Sequence, residues 1–183
     1  MGKQFPHIDE AHREFILRQQ VFFVASAAPQ GRVNVSPKDV GSLRILGPNA
    51  VAYLDLTGSG NETAAHLCVN ANLTFMFCAF AGAPMILRLY GRGRILHRRN
   101  REYAQLLTSE FKSSEPPGTR QIVALDVDLV LTSCGYGVPL FEYAGERSTL
   151  MRWAEAKGEE KLEEYRKEKN AFSISGLPTG MFD

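Results

Sequence analysis

Along most of this chain hydrophobic and polar residues alternate with the two-residue period of strands, and a few segments with helical spacing interrupt them. Residues 21–26 are apolar and rich in β-formers, which predicts a buried strand. Pro29-Gln30-Gly31 then turns the chain. Residues 32–36 alternate cleanly, with Val33 and Val35 facing one way and Arg32, Asn34 and Ser36 the other, so these two strands read as a hairpin. Residues 43–46 and 50–56 flank a Gly47-Pro48-Asn49 turn, and residues 73–80, 85–96 and 121–133 read as further strands.

Helical spacing places Ile8, Ala11, Phe15 and Ile16 on one face, and a short helix is expected over residues 62–69. Asn100 is a candidate N-cap for a helix carrying Tyr103, Leu106, Leu107 and Phe111. The charged segment 146–169 is helical by composition, with Leu150, Trp153, Leu162 and Tyr165 available for a face. Residues 113–119, with Pro116-Pro117-Gly118, form the clearest loop. No internal repeat is present. Six or seven largely contiguous strands with three or four helices predict a mainly β, α+β fold: an antiparallel barrel with helices outside.

Length and charge narrow this picture. A chain of 183 residues predicts one domain over 1–183, here with a C-terminal helical extension at about 146–170. A net charge of +1 supplies no global field for nucleic acid or an anionic membrane, so any anion site has to be local. Cys68, Cys78 and Cys134 form no CxxC or Cys/His spacing, which argues against a metal site. An odd cysteine count without a signal peptide fits a reducing compartment, and no stretch has the length to span a bilayer; a soluble, cytoplasmic protein is expected.

Four segments carry candidate chemistry. Residues 32–38 place the Arg32 guanidinium, the Asn34 amide and the Ser36 hydroxyl on one strand face, with the Lys38 ammonium just beyond Pro37. Such a set suits a phosphate, with Pro37 ending the ladder so that Lys38 turns toward the ligand. An exposed, solvated strand face fits the same spacing. Residues 57–63 follow a strand and open a helix, where backbone N–H groups and the hydroxyls of Thr57, Ser59 and Thr63 would receive a phosphate. A plain strand-to-helix turn remains open; GxGxxG and the P-loop ending are absent. On residues 85–94, Arg88, Arg92 and Arg94 share one side opposite Gly91 and Gly93, which fits either contact with a flat anionic cofactor or an edge strand protected by charge. Tyr136, in the glycine-rich stretch 133–139, is placed to cover a planar ligand or merely to cross a loop. No histidine stands in a recognisable relation to a nucleophile, and no catalytic acid or base is identified.

In their order these segments resemble the pyridoxamine 5′-phosphate oxidase-related family of FMN-binding split barrels, over roughly residues 8–145. The resemblance runs through an N-terminal helix, VFFVASA, RVNVSPK, AVAYLDL, a Gly/Ser loop into ETAAHL, LTFMFCAF and ILRLYGRGRIL. The tail, with SCGYGVP, a helix carrying Arg152-Trp153 and a closing SISGLP, is similar to one branch of that family. The resemblance implies cofactor contacts for Arg32, Asn34, Ser36 and Lys38, and phosphate contacts for Thr57, Ser59 and Thr63. It further implies a homodimer with the flavin at the interface, where Tyr136 and Trp153 touch the flavin of the other chain. The chain departs at Glu62-Thr63, where the oxidases proper carry an Arg-Lys pair, so Lys38 has to compensate. The oxidases' C-terminal substrate-binding Arg and His motif is not evident either, and oxidation of pyridoxamine phosphate is not predicted.

The expected function is accordingly that of a flavoprotein binding FMN: a flavin-dependent oxidoreductase acting on a small organic substrate, the cofactor supplying the redox chemistry. The alternatives are a flavin carrier or sensor without turnover, and a related barrel binding haem or a deazaflavin. Haem would require His66 or His97 to face the cleft.

Overall fold

The computed structural model describes residues 2–183. One antiparallel sheet of eight strands dominates, curled into a half-barrel. The strands are β1 (Lys3–Phe5), β2 (Val21–Ser26), β3 (Asn34–Asp39), β4 (Leu43–Gly47), β5 (Ala50–Leu56), β6 (Asn72–Cys78), β7 (Ile86–His97) and β8 (Thr119–Ser133). Their spatial order is β3-β2-β6-β7-β8-β5-β4, with β1 added to β8. Four helices flank the sheet: α1 (Glu10–Leu17), α2 (Glu62–Val69), α3 (Arg101–Ser109) and α4 (Thr149–Lys169). The expected split barrel is therefore the observed fold.

Local sequence accounts for most of these elements. In α1 the Asp9 carboxylate accepts from the His12 N–H at 2.8 Å while His12 Nδ1 accepts from the Asp9 N–H, a reciprocal cap that satisfies two otherwise orphaned donors. The buried residues His12, Phe15 and Ile16 then seat that helix on the barrel. The β2–β3 hairpin forms as expected, with Val24 opposite Ser36 and Phe22 opposite Lys38. Its second strand differs in two ways. It begins at Asn34, leaving Arg32 exposed in the turn, and Pro37 does not end it: Pro37 pairs with Phe23 and the ladder continues to Asp39. A proline is tolerated because β3 is an outer edge of the sheet, where its missing N–H has no strand to bond.

The strand carrying Arg88, Arg92 and Arg94 is central, between β6 and β8, so the protected-edge reading is overturned. The register shifts between Tyr90 and Gly91, and a Cβ on Gly91 would lie 1.9 Å from the Asp126 carbonyl oxygen. Glycine there admits the neighbouring backbone, which is what lets β7 bend into the barrel. Asn100 stands at the N-cap of α3, but its side chain makes no capping hydrogen bond. In α4 the helical path breaks at Gly158, which has φ +73°. The strand missed in the sequence is β1: three residues are too few to show a period.

The core has two parts. Inside the barrel Phe22, Tyr53, Phe75 and Phe77 pack ring against ring with centroids 5.4–5.6 Å apart, joined by Leu73, Leu87, Leu89 and Leu125. Each such side chain contributes about 1.5–3 kcal/mol by leaving water. On the outer side of β5 and β8, Ala52, Leu54, Ile122 and Ala124 lie under Tyr103 and Phe111 from α3 and its following turn. Two buried faces explain the unbroken apolar run 122–125 in β8, beyond which Asp126 and Asp128 are exposed and the strand alternates. The outward face of β3 is not covered in this way: Val35 is 58% exposed. No helix among the described residues is long and apolar enough to cross a membrane.

Candidate functional site

The half-barrel leaves β3 and β4 as unpaired edges, so a cleft opens where β3 faces β5 rather than bonding to it. Its volume is about 450 Å³, and its walls are β3, the inward end of β5, the loop 57–61 and the first turn of α2. Asn34, Ser36 and Lys38 alternate on the inward face of β3 and line it together, with Ser59 and Thr63 opposite. These five candidates are brought together by the fold.

Hydrogen bonds fix one wall. Ser36 Oγ donates to Asn34 Oδ1 at 3.2 Å, and Asn34 Nδ2 donates to Thr63 Oγ1 at 3.1 Å, tying the edge strand to α2. Behind them Ser26 Oγ lies 3.0 Å from His66 Nδ1, so His66 is a buried structural partner and does not line the cleft. His97 lines a second, small cavity with Arg98, Arg99 and Arg166, which shares Arg120 with the cleft.

The floor holds a charged group that the sequence reading did not identify. Asp55, 2% exposed, accepts from Lys38 Nζ at 2.8 Å, from Arg120 Nε at 2.8 Å and from Gln121 Nε2 at 2.9 Å. Burial by itself would raise the Asp55 carboxyl, but the Arg120 guanidinium and then the Lys38 ammonium outweigh it and hold the group well below the usual carboxylate range. Two cations thus share this one anion at the floor, while Asp39 and Glu62 also line the cleft. Lys38 also stands 5.3 Å from the centre of the Tyr53 ring. The Tyr53 hydroxyl is buried without a partner among the described residues, and burial first, then the Asp55 charge, keeps it a neutral phenol.

The network reaches the C-terminal extension. Arg120 Nη1 donates to the Gly60 carbonyl and to Asn170 Oδ1, both at 2.9 Å, and Asn170 Nδ2 donates to the Gly58 carbonyl at 3.1 Å. Gln121 Nε2 donates to Asn61 Oδ1 at 2.8 Å. Asn61 is the N-cap of α2, yet its side chain makes no cap bond, so the first N–H groups of that helix are not taken up by it.

The remaining candidates lie elsewhere. Thr57 is buried beneath the loop, donating to the Gly118 carbonyl at 2.8 Å and accepting from Arg166 Nε at 2.9 Å. Arg88 donates to Ser133 Oγ on the central strands at 3.2 Å, and Tyr136 is 81% exposed in the segment after β8. Neither lines the cleft of its own chain, and neither does Trp153, which packs on Tyr165. A larger cavity of about 740 Å³ lies between the end of α1, the turn 79–83 and residues 141–143, and none of the candidates lines it.

A split barrel with a polar cleft at its open seam defines the class of this protein, and comparison with known proteins gives its family. Residues 8–134 match the family model described as pyridoxamine 5′-phosphate oxidase, and the chain belongs to that family. It is 38% identical over 184 positions to the pyridoxamine 5′-phosphate oxidase family protein ustO of Aspergillus flavus, covering 91% of this chain and 73% of that one. Solved structures share the fold at low identity. HupZ from Group A Streptococcus gives a TM-score of 0.54 at 17% identity, covering 67% of this chain and 91% of that one. HutZ of Vibrio cholerae, described as a haem storage protein, gives 0.51 at 15% identity over 70% of this chain and 96% of that one.

Proposed function

We propose that this protein binds FMN in the cleft between β3 and α2 and acts as a flavin-dependent oxidoreductase on a small organic substrate. The observation that carries the proposal is the convergence of Asn34, Ser36, Lys38, Ser59 and Thr63 on one cleft beside a helix start that no side chain caps. A dianionic phosphate needs positive charge and several donors in a small space. Lys38, the hydroxyls of Ser59 and Thr63 and the N–H groups of α2 supply both, so the residues present fit the group. Ser36 and Asn34 would meet the ring system, and the apolar barrel beneath would keep water from its inner side. Bound there, the flavin supplies hydride or electron transfer. The chain's own residues hold the phosphate, orient the ring and provide the positive charge from Lys38 and Arg120.

The working unit of this proposal is a single-domain cytoplasmic protein paired as a two-fold homodimer. Val35 on the open edge strand, Val33 just before it, and Leu140 and Phe141 on the segment after β8 are 58–75% exposed, an apolar surface that pairing would cover. Arg88 and Tyr136, remote from the cleft of their own chain, would then serve the cleft of the partner. Haem is disfavoured because His66 is held by Ser26 and His97 opens into another cavity.

The test is an absorption spectrum of the purified protein, followed by titration of the colourless fraction with FMN. Flavin bands, or saturable fluorescence quenching at one FMN per chain, are expected, with reduction of the bound flavin by NADH or NADPH. Binding without reduction or turnover would make the protein a carrier or sensor. A protein that ignores FMN and shows a Soret band overturns the proposal.

A further inference from the structure

We propose that Arg120, held in place by the C-terminal Asn170, is a phosphate-binding residue of the cleft, so that the extension beyond residue 134 is a working part of the cofactor site. The inference rests on the FMN reading above. Its starting point is a shortage of charge. The first turn of α2 presents Glu62 and Thr63 and no cation, and Lys38, the cation on β3, is already bound to Asp55. A phosphate carrying nearly two negative charges calls for more than one shared ammonium.

Arg120 meets the need. It stands in the wall between the cleft and the small cavity of His97, lining both although its side chain is only 5% exposed, and three of its contacts fix it: Nε on Asp55, Nη1 on the Gly60 carbonyl and Nη1 on Asn170. Its Nη2 has no hydrogen-bond partner among the described residues. A buried guanidinium sharing its carboxylate with a lysine is under-neutralised, and an arriving anion would relieve that. The planar fork gives directed donors where a lysine gives a point charge. Asn170 completes the setting from the far side, donating to the Gly58 carbonyl while accepting from Arg120, so one residue registers both the loop and the cation.

The test compares FMN with riboflavin, which lacks the phosphate, by fluorescence quenching at fixed ionic strength. Arg120→Gln is expected to weaken FMN by about 10- to 100-fold, as befits loss of a charge-assisted hydrogen bond, and to change riboflavin by less than about threefold. Asn170→Ala, which leaves every charge in the cleft, is expected to move FMN affinity in the same direction by about fivefold. Arg120→Lys should recover part of the preference for FMN. Circular dichroism checks that each variant is folded; if Arg120→Gln is not, Asn170→Ala and Arg120→Lys decide. A wild-type protein that prefers FMN, with a preference that survives in these variants, overturns this proposal alone. A wild-type protein that binds neither flavin overturns it together with the FMN reading.

Discussion

Phe75 in the barrel and Asp55 at the cleft floor are hidden from solvent to nearly the same degree, 0% and 2% exposed, but different forces keep them there. Phe75 sits among Phe22 and Tyr53, where contact is non-directional and any side chain of similar volume would gain most of the same burial. Asp55 is held by three donors from two elements, each within 2.9 Å, and every one of them would be left with an unmet charge or hydrogen bond if it were removed. The apolar region makes the fold possible, and the polar region fixes the relative positions of β3, β5, β8 and the C-terminal extension around one cleft.

Breaking the polar side should have the largest effect. Asp55→Leu strands two cations and is expected to destabilise by about 3–5 kcal/mol, read from urea unfolding. The acid dependence has a matching sign. Because the Asp55 carboxyl lies below its unfolded value of about 3.9, its contribution is complete above that pH and is lost as pH falls toward the folded value. Unfolding midpoints should therefore fall below about pH 4, and the Asp55→Leu variant should lose less over that range.

Thr57→Ala removes a neutral side chain that makes two buried hydrogen bonds. It leaves Arg166 Nε without its acceptor and is expected to destabilise by about 1–3 kcal/mol, with the change seen in thermal unfolding. The apolar side should be more forgiving: Leu89→Met, at a fully buried position, is expected to stay under about 1.5 kcal/mol by the same measurement. If it proved as damaging as Thr57→Ala, the contrast between the two regions would fail. The smallest effect belongs to the surface. Arg94 bridges Glu102 and Asp126 with all three side chains more than a third exposed, and Arg94→Ala should change stability by about 0.2–1 kcal/mol, less at high salt.

What the sequence shows follows the same division. The β2–β3 hairpin, the strand over 50–56 and the loop into α2 are legible because their signals are local: alternation, a turn, a helix opening. Asn34, Ser36 and Lys38 are legible together because one strand face carries them, and Ser59 and Thr63 because one loop does. Asp55 and Arg120 are not, since they meet only through the β5–β8 pairing that sets Asp55 opposite Gln121. Asn170 arrives from still further along the chain. Their remaining trace is an acid in an otherwise apolar strand, and an Arg-Gln pair opening another. Pro37 misleads by its usual meaning, which edge position cancels. Arg88 and Tyr136 have the chemistry of cofactor contacts but stand outside the cleft, which only a second chain would change.

The cleft as the flavin site is tested most directly by a crystal structure of the protein with FMN. The phosphate is expected against the loop 57–61 and the start of α2, within hydrogen-bond reach of Lys38 and Arg120, with the ring along Asn34 and Ser36. FMN seated instead in the cavity between Phe15 and Phe141, or a cleft left open at saturating FMN, would contradict the account.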